Sequence, residues 1–432
     1  MTLKDSEKTT GASQPISLWD LSAPSSSEEA PLEGGIVTDV VIIGGGYTGS
    51  STALHLSEMG IECVVLEAEK IGFGGSGRNC GMVNPGIWLP PQDVRTVLGD
   101  ESADRFLDVM GRAPDTVFSL IDRFKMKCEA TRNGTIHAAH SPAGFKELSA
   151  RAQEWQRRGR EVILLDEDQT QDKIGTSYFY GGLLDPKAGT VNPMGYAREL
   201  AAAAVSKGAV IYSQTRALNL TQVNGKWQVR TQRGTVTANQ VVIGGNAYND
   251  DLWPGLKQAY TPIHFYQVAT KPLGKIADKI LPEAQSVWDT GLVMSSVRKD
   301  QFGRLIVGSM GKLAGKDNNQ SEYWAQKRIN QMFPFLGKVE FEKAWHGKIA
   351  MTPDHLPRIH ILAPGLYTAV GFNGRGITTG TVCGEAMAQL LTGAPEQDIM
   401  LPVTGLIKDR AAFIREPAYE ACFKAWCYYK SI

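Results

Sequence analysis

Long hydrophobic runs are missing from this chain. No stretch approaches the roughly 20 consecutive apolar residues that a membrane-spanning helix needs, so spanning helices are not expected. Peripheral contact with the inner face of a membrane stays open. An excess of charge of either sign is missing too. Forty-five lysines and arginines balance 45 aspartates and glutamates, so nothing favours electrostatic binding to nucleic acid. Cysteine is sparse: Cys63, Cys80, Cys128, Cys383, Cys422 and Cys427 are scattered along the chain. None forms C-x-x-C, and no cysteine–histidine cluster has zinc-like spacing. Free thiols in a reducing compartment, and no metal site, are the expectation. The N-terminus lacks a basic segment followed by an apolar core, so no cleaved secretion signal is expected and the cytoplasm is the default. No internal repeat marks a solenoid or propeller.

What is present is an ordinary globular composition, 42% hydrophobic and 21% charged over 432 residues. That length suggests roughly two or three domain-sized units, or two interleaved ones. The most informative stretch is Thr38–Glu67, TDVVIIGGGYTGSSTALHLSEMGIECVVLE. Val40–Ile43 read as a buried strand. Gly44, Gly46 and Gly49 then form G-x-G-x-x-G, followed by a helix with Ala53, Leu54 and Leu56. A second strand, Cys63–Leu66, ends at Glu67. Gly44 permits the tight turn, Gly46 lets backbone approach a pyrophosphate, and Gly49 lets the helix pack close. The helix N-terminus, with Tyr47 and Thr48, offers free N–H groups to phosphate. Glu67 stands where a carboxylate accepts ribose hydroxyls, with Ala68 beside it. Strand, glycines, helix, strand and acid in this order predict a dinucleotide, either NAD or FAD.

Other segments add to this. Residues 1–36 are rich in Ser, Thr, Glu and Pro and are expected to be a flexible tail; Trp19 in ISLWDL either docks on the body or hangs loosely. Ile71–Gly81, IGFGGSGRNCG, is dense in glycine, so backbone must pass close to something. Gln240–Ile243 is a strand ending in Gly244-Gly245-Asn246-Ala247, small enough to close over a cofactor. Leu366–Val370 leads into Gly371-Phe372-Asn373-Gly374-Arg375-Gly376 and then a helix from Thr378. Tyr260–Thr270 alternates as a strand.

These blocks together resemble the D-amino-acid-oxidase-like family of FAD-dependent oxidoreductases. The carriers are VVIIGGGYTGSSTALHL with Glu67, GGSGRNCGMV, VVIGGNAY, WHGKIAMTPDHLPRI and LYTAVGFNGRGITTGTVCGEAMAQLLTG. The GGSGRN and GFNGRG forms look closest to the bacterial branch containing gamma-glutamylputrescine oxidase and L-pipecolate oxidase. The resemblance implies an α/β fold with an α+β second domain: a Rossmann-like FAD-binding domain interleaved with a mixed-sheet substrate domain. Residues 37–90, 160–255 and 343–400 would form the first, 91–159 and 256–342 the second, and 401–432 a C-terminal helical segment.

The resemblance also implies roles. Gly44, Gly46 and Gly49 would lie at the pyrophosphate and Glu67 at the ribose. Gly75, Ser76, Gly77, Arg78, Asn79, Cys80 and Gly81 would lie near pyrophosphate and flavin. Ala217 would offer backbone near adenine, and Gly245 and Asn246 would close over the cofactor. Gly371, Asn373, Gly374, Arg375, Gly376, Ile377 and Thr378 would run along the flavin edge. There, N–H groups and a helix N-terminus stabilise the negative charge of reduced flavin. The reaction implied is oxidation of a C–N bond by hydride transfer to flavin N5, giving an imine. The substrate would be a secondary amine or cyclic imino acid such as L-pipecolate, or else gamma-glutamylputrescine or a related polyamine derivative. Oxygen or a quinone-linked carrier would accept the electrons. A non-catalytic flavin-binding accessory subunit is the alternative of another class.

Two departures matter. Monomeric sarcosine oxidases carry a flavin-linked cysteine near the T-P-D-like segment, and Trp345–Lys348 has none, so FAD is expected to be non-covalent. Those enzymes also place a carboxylate-binding lysine after the last glycine motif, where this chain reads Gly376-Ile377-Thr378. Candidates to line the reaction site are His264 and Tyr266, which share a strand face; Lys348, to activate oxygen or hold an anion; and Arg298 and Arg375, as carboxylate anchors. Each has a packing alternative.

Overall fold

Two large sheets organise the described residues, with a two-stranded pair, Met82–Val83 and Gly189–Thr190, beside them. The computed structural model describes residues 16–25, 29–87 and 89–431. Trp88, and residues 1–15 and 26–28 of the expected tail, lie outside these. The first sheet has a parallel centre in which Gly34–Ile43 pairs with Gly234–Ile243 on one side and Cys63–Leu66 on the other. Val210–Tyr212 and Leu366–Val370 extend it in the same direction. Parallel strands are buried on both faces and therefore read as continuous apolar runs. Val40, Val41 and Ile42 are accordingly all buried. Helices Tyr47–Glu58, Pro193–Ser206 and Gly376–Leu391 pack together over this sheet.

The second sheet is mixed, with order Phe341–Met351, Thr261–Thr270, Leu305–Met310, Ser295–Lys299, Ser286–Asp289, Thr135–Ala138, Gly182–Asp185 and Ile163–Leu165. All its pairings are antiparallel except Ser286–Asp289 with Thr135–Ala138. The α/β class and the interleaving therefore stand.

The expected segment limits need revision. Ile163–Leu165, Gly182–Asp185 and residues 343–351 of the strand Phe341–Met351 fall in segments expected for the FAD-binding domain, but they pair in the second sheet. Val403–Gly405, expected within a helical segment, pairs with Arg358–Ala363 in the first sheet. Short strands carry an alternation but no mark of their partner, and partner choice is tertiary. The flexible tail is corrected as well. Leu18–Ser22 is a helix capped by Ser17, and Trp19 within it is fully buried.

Candidate cofactor and active site

The glycine turn follows directly from backbone sterics. Gly44 sits at φ +111°, outside the range of most side chains. A Cβ on Gly49 would lie 1.9 Å from the Gly44 carbonyl oxygen, so the helix approaches the turn as only glycine allows. A Cβ on Gly46 would lie 2.9 Å from Ser76 Oγ. Gly46 caps the helix with no side-chain bond, and Tyr47 N–H donates to Ser76 Oγ at 3.1 Å. This helix end opens on a cavity of about 340 Å³. Glu67 is its far landmark. One carboxylate oxygen accepts the Gly45 N–H at 2.7 Å and the other the Glu69 N–H at 2.9 Å. Burial nonetheless pushes its pKa above the ordinary value.

The cavity runs from Glu67, Ala68 and Ala217 past Gly44, Gly46, Tyr47 and Thr48. It continues along Gly75, Ser76, Asn79 and Cys80, is flanked by Gly245 and Asn246, and reaches Gly374, Arg375, Gly376 and Ile377. A second uncapped helix N-terminus, that of Gly376–Leu391, opens there. A glycine-rich cradle with two helix starts that lack a side-chain cap fits an extended dinucleotide. The remaining expected residues stand behind the wall. Gly49 and Gly77 allow close packing, the latter against Met194. Gly81 leaves room for Arg298, Gly371 donates to Asn246 Oδ1, and Thr378 donates to the Arg375 carbonyl. Asn373 accepts the Thr352 N–H and donates to the Gly371 carbonyl.

Arg78 belongs to a clamp that sequence reasoning missed. Four consecutive carbonyls are held from outside the cavity. Ser17 Oγ donates to Gly77 O at 3.0 Å, Trp345 Nε1 to Arg78 O at 2.9 Å, and Trp19 Nε1 to Asn79 O at 2.8 Å. Arg298 Nη1 donates to Cys80 O at 3.1 Å and to Val191 O at 2.7 Å. Trp19 packs edge-on against Trp345, and the Arg298 guanidinium lies over the Trp19 ring. Arg298 is therefore a buried scaffold residue and does not line the cavity. The Arg78 guanidinium donates to Phe73 O.

His264 and Tyr266 are also corrected. They share a strand face, as their spacing implies, but it is the face turned away from the cavity. His264 Nδ1 meets Glu420 Oε1, and Tyr266 packs edge-on against Trp324. Both faces of Thr261–Thr270 are covered, so alternation cannot tell which one faces the ligand. The opposite parity, Phe265 and Gln267, lines the cavity with Trp288, Met294, Ser309 and Met310. No motif marks these positions; the parity of the strand is the one available signal.

Lys348 does line the cavity, with Nζ 5.8 Å from the Tyr248 ring centroid, and its N–H donates to Tyr248 Oη at 3.0 Å. Arg375 lines it too. Its guanidinium lies 4.6 Å from the centroid of Trp288, which stacks on His137 at 3.4 Å. Burial, with Arg151 nearby, pulls the Arg375 pKa down to about 9. Burial keeps His137 neutral by moving its pKa well below the usual value. The acids of the wall, Glu67, Glu69 and Asp250, gather with Arg216 at the Ala217 end.

A parallel-centred sheet with helices packed on one face, a glycine turn, a buried acid and a cavity running under a second sheet define a dinucleotide-dependent oxidoreductase. The chain belongs to the family of FAD dependent oxidoreductases (DAO), whose match covers residues 39–390. It is an FAD-dependent amine or amino-acid oxidoreductase. It is similar to the gamma-glutamylputrescine oxidoreductase of Escherichia coli, 29% identical over 381 residues, which are 87% of this chain and 89% of that protein. Its fold is similar to glycine oxidase from Geobacillus kaustophilus, with a TM-score of 0.69 at 20% identity, covering 86% of this chain and 98% of that one. L-proline dehydrogenase from P. horikoshii is similar in fold as well, with a TM-score of 0.68 at 21% identity over 84% of this chain and 94% of that one.

Proposed function

We propose that the chain oxidises the C–N bond of a secondary amine or cyclic imino acid whose carboxylate lies close to that bond, L-pipecolate being the type. The observation that carries this is Arg375, buried in the cavity wall over Trp288. A guanidinium held in a dry aromatic setting is suited to a carboxylate. FAD, when bound, supplies the hydride acceptor. The residues of the chain do the rest. Arg375 orients the carboxylate. Phe265, Trp288, Met294 and Met310 exclude water. Lys348 and Arg375, both cationic, disfavour an ammonium and so favour the neutral amine that reacts. FAD is held without a covalent bond, and oxygen or a quinone-linked carrier takes the electrons.

A second reading, oxidation of gamma-glutamylputrescine, is supported by the similarity to the Escherichia coli protein. The two differ in where the carboxylate sits: beside the reacting carbon in one, at the far end of the molecule in the other. Anaerobic mixing with L-pipecolate, L-proline, sarcosine and gamma-glutamylputrescine tests them. Bleaching of the flavin band by the cyclic imino acids supports the first reading. Bleaching by gamma-glutamylputrescine alone overturns it.

A further inference from the structure

The C-terminal helix Ala412–Ser431 turns a polar contact inward. Its Glu420 meets His264 at 2.7 Å, with Ala412 and Phe423 buried on the same side. Its outer side is exposed and largely apolar, with Phe413, Ile414, Pro417, Ala418, Ala421 and Ala425, and Lys424 lies on the same arc. The spacing i, i+1, i+4, i+5, i+8, i+12 places the six apolar residues on one arc. Phe413 is 75% exposed and Ile414 59%. Ile407, just before the helix, adds to them at 51%. Leu292, 88% exposed, shares a surface hollow of about 150 Å³ with Trp426 of the same helix. Single exposed apolar residues are normal, but a contiguous strip marks a contact surface.

The charges around the strip select the occupant. Among the described residues from 407 to 426, the exposed charged ones are Lys408, Arg410 and Lys424. A second copy docking through a twofold axis would set this basic rim against itself. An anionic bilayer satisfies both features, taking the apolar strip below its headgroups and the lysines and arginine at their level. Among the described residues no helix is long and apolar enough to cross a membrane, so the helix would lie in the surface.

We propose that Ala412–Ser431 is an interfacial helix that docks the enzyme on anionic lipid through Phe413 and Ile414. It rests on the back of strand Thr261–Thr270, whose other face lines the cavity with Phe265 and Gln267. The docked face is thus behind the site and leaves the site's residues untouched.

The test uses the full-length, FAD-loaded enzyme and sedimentation with vesicles. Phosphatidylglycerol–phosphatidylcholine vesicles should carry it down, pure phosphatidylcholine vesicles should not, and salt should weaken the effect. The double variant Phe413→Ser/Ile414→Ser should lower partitioning at least roughly tenfold with flavin content unchanged. Should that variant lose flavin, Arg410→Glu/Lys424→Glu serves instead and must also lower partitioning. Three results overturn the proposal: protein left in the supernatant with both vesicles, partitioning unchanged in the variants, or a dimer without lipid binding that the Phe413→Ser/Ile414→Ser change dissociates.

Discussion

His264 Nδ1 lies 2.7 Å from Glu420 Oε1, tying the C-terminal helix to the strand behind the cavity. Burial raises the Glu420 pKa, but the His264 hydrogen bond and charge outweigh it and hold the carboxyl below its ordinary value. Burial and the neighbouring His264 push His346 down to about 4. Both shifts act in one direction. The unfolded chain takes up these protons first, so stability is full at neutral pH and falls as pH drops. For His346 the loss runs from the usual histidine range down to about 4; for Glu420 it runs from the ordinary carboxylate value through its lower folded one. Amide protection factors in residues 412–426, exchange rates corrected for their intrinsic pH dependence, should fall over that window. Glu420→Gln should weaken docking of the helix by about 2 kcal/mol and reduce the pH dependence. Protection factors that stay flat from neutral pH to about 4 would contradict this.

Gly49→Ala should abolish FAD retention. The added Cβ would lie 1.9 Å from the Gly44 carbonyl oxygen, and the helix cannot retreat without opening the turn. The ratio of flavin to protein absorbance after purification reads this directly. Gly393→Ala, with no heavy atom within 4 Å of the new Cβ but φ +94°, serves as a control for backbone strain alone.

Trp19→Phe removes one donor while keeping an aromatic ring against Trp345. The Asn79 carbonyl then loses its 2.8 Å bond. Leaving such a group unpaired costs about 1–3 kcal/mol. Titration of apoprotein with FAD should show an affinity lower by about tenfold, with Trp19→Ala worse. Unchanged affinity in both variants would show that the clamp does not position the loop.

Arg375→Ala should raise KM for a carboxylate-bearing amine by about 10- to 100-fold, the worth of a charged hydrogen bond. Arg375→Lys should recover only part of this, because a lysine lacks the planar fork. A decarboxylated amine such as piperidine should be spared. Equal losses for both substrates would place Arg375 in cofactor binding instead.

Acid precipitation should release the flavin into the supernatant. Cys80 is the cysteine that lines the cavity among the described residues. Burial raises its pKa, which keeps it a thiol and a poor nucleophile. Cys80→Ser should leave flavin content unchanged; flavin retained in the wild-type pellet and lost in this variant would refute non-covalent binding.

What the sequence determined by itself is the cofactor half. Gly44, Gly46, Gly49 and Glu67 lie within one βαβ unit, so their spacing along the chain nearly equals their arrangement in space. The loop Gly74–Gly81 and the Gly371–Gly376 turn are legible for the same reason: glycine density records close backbone approach. Tertiary structure decided the substrate half. Phe265 and His264 are neighbours on one strand with both faces buried, and only sheet packing assigns one to the cavity and the other to Glu420. Arg298 and Arg375 are alternative anchors in sequence, yet one is spent on the carbonyls of Cys80 and Val191 while the other faces the cavity. Trp19 and the apolar outer face of Ala412–Ser431 belong with these. Local pattern sets which residues share a face, and long-range packing sets what that face meets.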